Sequence, residues 1–319
     1  MSALNIHLFG KFSVRAQEQP LEGLDACKVQ ELLGYLLIHR ERPHTRESLA
    51  GLLWGDTATD KSKKYLRQTL WHLQSALESQ FDGRDHHSGE GADGALLFAA
   101  HDWVRLNQNS AMWLDVEVFE RAFALVQGKA GHDLDAETKR IVQEATELYK
   151  GDLLEGWYQD WCLYERERLQ NMYLVMLDKL ISYSEAHRDY ELGLLYGSLI
   201  LRYDRARERT HRQLMHLHYM SGDRTAALRQ YERCVGALRD ELDVAPDRRT
   251  VALYQQIRLD QLDEQAAAPA AIPAASAEPS AVSLPEVLGR LQQLQRVMSD
   301  VQQRIQQDIK AVQQALKQH

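Results

Sequence analysis

The sequence predicts a mainly α protein in three folded parts. These are an N-terminal winged helix-turn-helix (α+β), an all-α tetratricopeptide-like helical domain, and a C-terminal coiled-coil helix. Three observations carry the prediction. Residues 4–107 read as hairpin, three helices and closing hairpin. Residues 112–260 have helical periodicity nearly throughout, with small residues where paired helices would touch. Behind an Ala/Pro stretch, residues 291–316 hold a single heptad-like apolar seam. The chain therefore divides into 1–110, 111–262, a linker at 263–283 and a tail at 284–319.

Taken in order, "LNIHLFGKFSVRA" (4–16) alternates apolar and polar residues around Gly10-Lys11, the pattern of a short β-hairpin. A helix is expected from about Lys28 to His39, with Leu32, Leu33, Tyr35, Leu36, Leu37 and Ile38 on its buried side, and Pro43 stops it. Thr45 is the N-cap candidate for a second helix, Arg46 to Trp54; Ser48 stands where a capping box would have Glu. Gly55-Asp56 ends that helix. In "KKYLRQTLWHLQSAL" (63–77), Leu66, Leu70, Leu73 and Leu77 recur at spacings of four, three and four, which is one apolar stripe of a third helix. "FDGRDHHSGEGADG" (81–94) is a Gly- and Asp-rich loop, and "ALLFAAHDWVRLN" (95–107) reads as two strands around a tight turn at 100–102.

In a winged helix-turn-helix the third helix enters the major groove while the second crosses the backbone. Residues 63–77 then form the recognition helix. Lys63, Lys64, Arg67, Gln68, Trp71 and His72 lie off its leucine stripe and carry the side chains that reach phosphates and base edges. Lys64, Arg67, Gln68 and Trp71 are placed to read bases, although Trp71 equally suits packing against the wing. Thr45 and Arg46, opening the second helix, suit phosphates. His101 and Arg105 would make the wing's contacts.

Charge frames this reading. The chain of 319 residues carries a net charge of −8, and residues 1–107, with twelve Lys+Arg against fourteen Asp+Glu, carry −2. The window 39–72 differs, with seven basic residues against four acidic ones. A focused basic patch on an acidic body favours site-selective docking over blanket affinity for nucleic acid.

Hydrophobic content of 44% and charged content of 26% are those of an ordinary soluble globular chain. Cys27, Cys162 and Cys234 form no CxxC pair and read as buried, reduced thiols of a cytoplasmic protein. No apolar run reaches the roughly 18 residues that cross a bilayer, and the N-terminus lacks a signal-peptide pattern. His86, His87 and Glu90 read as polar loop, and His211, His216 and His218 miss the i, i+4 spacing of a metal-ligand pair. No nucleophile elbow or paired-carboxylate arrangement suggests an enzyme.

In the helical region, "ELYKGDLLEGWYQDWCLYERERLQNMYLVMLDKLISYSEAHRDY" (147–190) shows one break near Gly156, and helix pairs turn at Arg188-Asp189 and Gly222-Asp223. Ala226 and Ala227, followed by Tyr231, fit a tetratricopeptide-like pair. "LRYDRARERTHR" (201–212) supports two readings. One is a solvated junction with internal pairing to Asp204 and Glu208. The other is a site for an anionic ligand such as a nucleotide second messenger, held by Arg202, Tyr203, Arg205, Arg209 and Arg212. The linker composition cannot bury a core. The tail seam, Leu291, Leu294, Met298, Val301, Ile305, Ile309, Val312 and Leu316, has a stutter between Val301 and Ile309 and calls for burial against identical tails.

These residues resemble the SARP-type bacterial transcription regulators, in which an OmpR-like winged helix precedes a bacterial transcriptional activation domain. "LFGKFSVR" is similar to the family's opening hairpin and "YLRQTLWHLQSAL" to its recognition helix, with Gln74 in place of the usual second arginine. "LYKGDLLEGWYQDWCLYERERL" and "GDRTAALRQYERCVGALRDELDVAPDRRTVALYQQI" resemble the activation domain, while "RYDRARER" departs from the usual D-P-x-x-E turn. The resemblance implies sequence-specific binding to promoter DNA as a homo-oligomer, and recruitment of RNA polymerase. A rival class is a helical-repeat scaffold or ligand sensor whose winged helix makes protein contacts. The net −2 of residues 1–107 favours that rival.

Overall fold

The computed structural model describes residues 4–16, 19–55, 57–78, 96–107 and 110–262. The 81–94 loop with His86, His87 and Glu90, the linker and the seam from Leu291 to Leu316 lie outside the described residues.

The N-terminal part begins with β1 (Leu4–His7), β2 (Ser13–Ala16) and β3 (Gln19–Pro20). Strands β1 and β2 pair antiparallel from Leu4↔Ala16 to His7↔Ser13, and Gly10, at φ 77°, supplies the left-handed turn residue. Then follow α1 (Cys27–Ile38), β4 (His44–Thr45), α2 (Arg46–Trp54) and α3 (Thr59–Glu78). The wing is β5 (Leu97–Ala99) and β6 (Trp103–Leu106), joined through residues 100–102 as the sequence suggests. β4 adds to the wing's edge, so the second sheet has the order β4-β6-β5. α1, α2 and α3 pack on one another through Leu32, Leu36, Leu49, Leu53 and the α3 leucines, all buried.

Three expectations are corrected here. Met112–Leu114, expected as helix, forms β7, parallel to β1, and completes a sheet of order β3-β2-β1-β7. An open β1 edge offers unpaired N–H and C=O groups, and that pairing outweighs the local helical pattern. The break expected at Gly156 runs from Tyr149 to Gln159, because this segment leaves helical geometry to bond to the N-terminal strand region. Cys27, expected as buried, is exposed at the first turn of α1; only Cys162 and Cys234 are buried.

The rest is helical: α4 (Asp115–Val126), a 3-10 turn (Gly131–Asp133), α5 (Ala136–Leu148), α6 (Asp160–Ala186), α7 (Tyr190–Tyr203), α8 (Glu208–Met220), α9 (Arg224–Leu242) and α10 (Arg248–Leu259). Successive helices pack on one another, and α8 also touches both α6 and α10. Small residues set the spacing. A Cβ on Gly193 would meet Leu217 Cδ1 at 2.8 Å, and one on Gly197 would collide with Leu214, so α7 lies tight against α8. Ala227 is fully buried where α9 meets α8. Asp135 and Asp223 cap α5 and α9 by accepting from Thr138 N at 2.7 Å and Ala226 N at 2.8 Å.

The two parts share one core and one joint. A single apolar cluster runs from Leu4 and Ile6 through Leu33, Phe119 and Leu177 to Leu217. At its polar centre Asp115, 1% exposed, accepts from Leu8 N (2.8 Å), Phe9 N (3.0 Å) and Val116 N (2.7 Å). Burial pushes its carboxyl up, and the three amides and His7 pull against that. Beside it, Leu154 N donates to Leu8 O and Glu155 N to Gly10 O, each at 2.8 Å. Arg166 of α6 then fixes the 149–159 segment by donating to the carbonyls of Leu153, Leu154 and Trp157 at 2.9–3.0 Å. Glu120 of α4 bridges Arg40, just after α1, at 2.5 Å and Arg168 of α6 at 2.6 Å.

Removing the Asp115 acceptor strands three buried N–H donors, so Asp115→Ala should cost about 3 kcal/mol. Because the joint is shared, tryptophan fluorescence and far-UV circular dichroism should still report one coincident denaturation transition in the parent protein. Separate transitions for the two parts would refute a shared core.

Candidate nucleic-acid interface

α3 has two faces. Leu66, Leu70, Leu73 and Leu77 are all buried, with Ser62, Thr69 and Ala76 beside them, as the stripe predicts. The opposite side presents Lys63, Lys64, Arg67, Gln68, Trp71 and His72, every one exposed. Lys64, Arg67/Gln68, Trp71 and Ser75 follow one another at three- and four-residue steps, which aligns them in a single row along the helix. Lys64, Arg67 and Gln68 have no ion pair or hydrogen bond among the described residues. Lys63 Nζ lies 3.5 Å from Glu47 Oε1 on α2; both groups are solvated, so the pair contributes little and leaves the ammonium available to a stronger anion. Trp71 does not pack against the wing. It is 62% exposed and touches the His72 ring edge-on at 4.9 Å.

The second helix and the wing are built as one piece. Thr45 caps α2, accepting from Ser48 N at 3.2 Å, and pairs through β4 with Trp103. Arg46, expected at a phosphate, is instead turned to the wing: its backbone N donates to Asp102 O at 3.0 Å and its Nε to Ala100 O at 2.9 Å. That commits one edge of the guanidinium to holding the wing turn. At the tip His101 is exposed, its Nδ1 2.5 Å from Asp102 Oδ1. Arg105 extends along the outer face of β6, its guanidinium 5.4 Å from both the Phe98 and Trp103 rings. Two rings beneath one guanidinium restrict its rotamers without neutralising its charge. Pro43, His44, Thr45, Trp103 and Arg105 line one shallow cleft where β4 meets β6.

Sequence reading missed the pieces that aim this surface. Phe98 and Trp103 are the platform for Arg105; the signal was the alternation W-V-R-L, which puts residues 103 and 105 on one face of the strand. Tyr35 of α1 is ringed edge-on by His39 at 4.5 Å, His44 at 5.2 Å and Trp161 of α6 at 5.3 Å. His44 Nε2 donates to His39 O at 3.0 Å, in the tautomer that carries its proton there. The start of β4 is thereby positioned by an aromatic from the helical domain.

The arginine-rich junction does not gather into one pocket. Arg205 faces Glu241 of α9 at 3.7 Å, Arg209 faces Asp178 of α6 at 3.1 Å, and Arg212 donates to Thr250 of α10 at 3.0 Å with Glu208 at 3.8 Å. Arg202 is exposed at the end of α7, and the Tyr203 ring lies edge-on to Tyr149 and Tyr173. The partners are mainly acids on other helices rather than the expected Asp204. His211 is buried between Arg205 O and Gln230 Nε2, each 2.8 Å away, and His216 pairs with Glu185 at 2.9 Å, so both serve packing. No helix among the described residues is long and apolar enough to cross a membrane.

Burial holds both His39 and His44 below the usual imidazole value; for His39 the nearby Glu165, and for His44 its bond to the His39 carbonyl, oppose that in part. A depressed histidine has no effect on stability above its unfolded value of about 6.5 and costs stability as pH falls below it. The melting temperature should therefore drop between about pH 6.5 and 5. His44→Gln, which keeps a donor and does not titrate, should flatten part of that slope; an identical slope in the variant would exclude His44 as a contributor.

Residues 114–258 match the family model of the bacterial transcriptional activator domain. Among solved structures the fold is similar to Mycobacterium tuberculosis EmbR in complex with a low-affinity phosphopeptide, with a TM-score of 0.59 and 20% identity, over 82% of this chain and 66% of that one. The chain thus spans just under two thirds of the length of that protein, and the likeness is one of fold. Comparison with curated proteins gives no match.

Proposed function

We propose that this SARP-type transcriptional regulator, a chain with a bacterial transcriptional activator domain behind a winged helix, binds promoter DNA sequence-specifically and recruits RNA polymerase. The observation that carries the reading is the row Lys64, Arg67, Gln68 and Trp71, exposed on a helix whose other side is buried leucine. Arg67 supplies the forked donors that recognise a guanine edge, and Gln68 the paired amide donor and carbonyl acceptor that recognise an adenine edge. Lys63 and Thr45 flank them toward phosphates, and Arg105 on its aromatic platform serves an adjacent groove. The helical domain presents its surface to polymerase.

The scaffold reading has one observation in its favour, the net −2 of residues 1–107. A gel shift with the DNA upstream of the protein's own gene, run over a salt series, separates the two. A DNA reader gives a shift that weakens steeply with salt through counterion release. Arg67→Ala should lower specific affinity by about 1 to 3 kcal/mol, whereas Lys63→Ala should weaken all sequences alike and reduce the salt slope by about 1. Wild-type affinity in both variants at moderate salt would remove α3 as the reading element.

The tail seam supports self-association as the second half of this function. Pairing of tails brings a second winged helix to a neighbouring half-site at raised effective concentration, without any new base contact. Deleting residues 283–319 should lower the mass measured by light scattering and weaken binding to paired half-sites far more than to one. An unchanged oligomer would place the subunit contact elsewhere.

A further inference from the structure

One side of α6 has no partner among the described residues. Asp160, Leu163, Tyr164, Glu167, Asn171 and Val175 fall within a single arc of the helix, and every one is exposed. Tyr158, just before the helix, is 78% exposed and Tyr164 is 73% exposed, the most exposed large hydrophobic side chains among the described residues. The arc contains two acids and no base, and neither Asp160 nor Glu167 has an ion-pair partner among the described residues. The opposite side of the same turns is core: Cys162, Leu169, Tyr173 and Leu177 are buried. Arg166 and the Arg168–Glu165–Glu120 pairs hold the helix rigidly at the joint. An ordered row of aromatic, aliphatic and acidic groups on a fixed helix is costly to leave in water and cheap to dock, because little side-chain freedom is lost from tyrosine.

We infer that this face of α6 is a docking surface for an arginine-bearing amphipathic helix of RNA polymerase. The chemistry selects that partner. Tyrosine faces receive guanidinium groups, the two carboxylates form charge-assisted hydrogen bonds with them, and Leu163 and Val175 seat one apolar residue between. The same face of a second copy is a poor occupant, because it would bring its own Asp160 and Glu167 against these two carboxylates with no base between them. The surface is small, so the contact is transient rather than obligate. The inference rests on the activator reading and adds to it the place and chemistry of the polymerase contact. It also explains why the face lies where it does. Trp161 and Arg168, adjacent to the arc, reach Tyr35 and, through Glu120, Arg40 of the winged helix. A helix docked there would stand beside the DNA-reading part at fixed geometry.

The test uses the full-length protein and RNA polymerase holoenzyme purified from the source bacterium, with binding measured by biolayer interferometry in the absence of DNA. A Tyr158→Ser/Tyr164→Ser double variant, with circular dichroism matching the parent, should bind polymerase at least tenfold more weakly. Glu167→Lys should do the same, and Glu167→Gln should fall between. All three should shift promoter DNA like the parent, since none lies on α3 or the wing. Failure of the parent to shift DNA would strike the DNA reading alone. Polymerase binding that is absent in the parent, or equal in parent and variants, overturns the docking surface. A lower sedimentation mass in the double variant would instead make the face a contact between copies and likewise overturn it.

Discussion

The buried carboxylate of Asp115 is the constraint on which the rest of the structure depends. It opens α4, yet two of its three amide donors, Leu8 and Phe9, belong to the N-terminal strand region more than a hundred residues earlier. A carboxylate in that position cannot be left without donors, and the donors cannot be left without it. The first helix of the activator domain is thereby locked to the first strand of the winged-helix part. Around this lock the parallel β1–β7 pairing, the Leu8–Leu154 and Gly10–Glu155 backbone bonds, and the Arg40–Glu120–Arg168 bridge all point the same way. The winged helix is less a tethered module than one end of a continuous body.

That continuity has a functional consequence. The exposed row on α3 is held by buried leucines against α1 and α2, and α1 is in turn held by Trp161 and Arg40 against the helical domain. The wing is tied back to α2 by β4, Thr45 and Arg46. In the proposed function, a promoter sequence that orients α3 and the wing also orients α6 and the helices behind it. Recruitment of a second protein then needs no conformational change, only geometry fixed at the joint.

Much of this was legible in the sequence, for reasons that differ by element. α2 and α3 were readable because each buries one stripe and shows the other, α1 because its apolar run from Leu32 to Ile38 ends before Pro43, and Thr45 caps α2 where a cap was expected. The turn between β5 and β6 followed from short alternating segments around polar residues. β7 was not readable: Met112–Leu114 is apolar and short, and only the open edge of β1 makes it a strand. Asp115 was not legible, since nothing local announces an acceptor for amides so far away. Arg46 was placed at the right end of the right helix, but its commitment to Ala100, 54 residues on, depends on where the wing folds back. Trp71 could be assigned to a helix but not to solvent until the wing's path was known. Local pattern determines elements; the long-range polar bonds that aim the site have no periodicity to read.

The central claim, that the winged-helix part and the activator domain move as one body, is open to a direct distance measurement. Gly51 on α2 and Gly236 on α9 each have open space where a Cβ would stand, so cysteines there can carry nitroxide labels without disturbing packing. Cys27, the exposed thiol, is first replaced by serine, while Cys162 and Cys234 are buried. Pulsed electron–electron double resonance on the doubly labelled protein should give one narrow distance that does not shift when promoter DNA is added. A broad distribution, or a distance that changes on binding, would contradict the account.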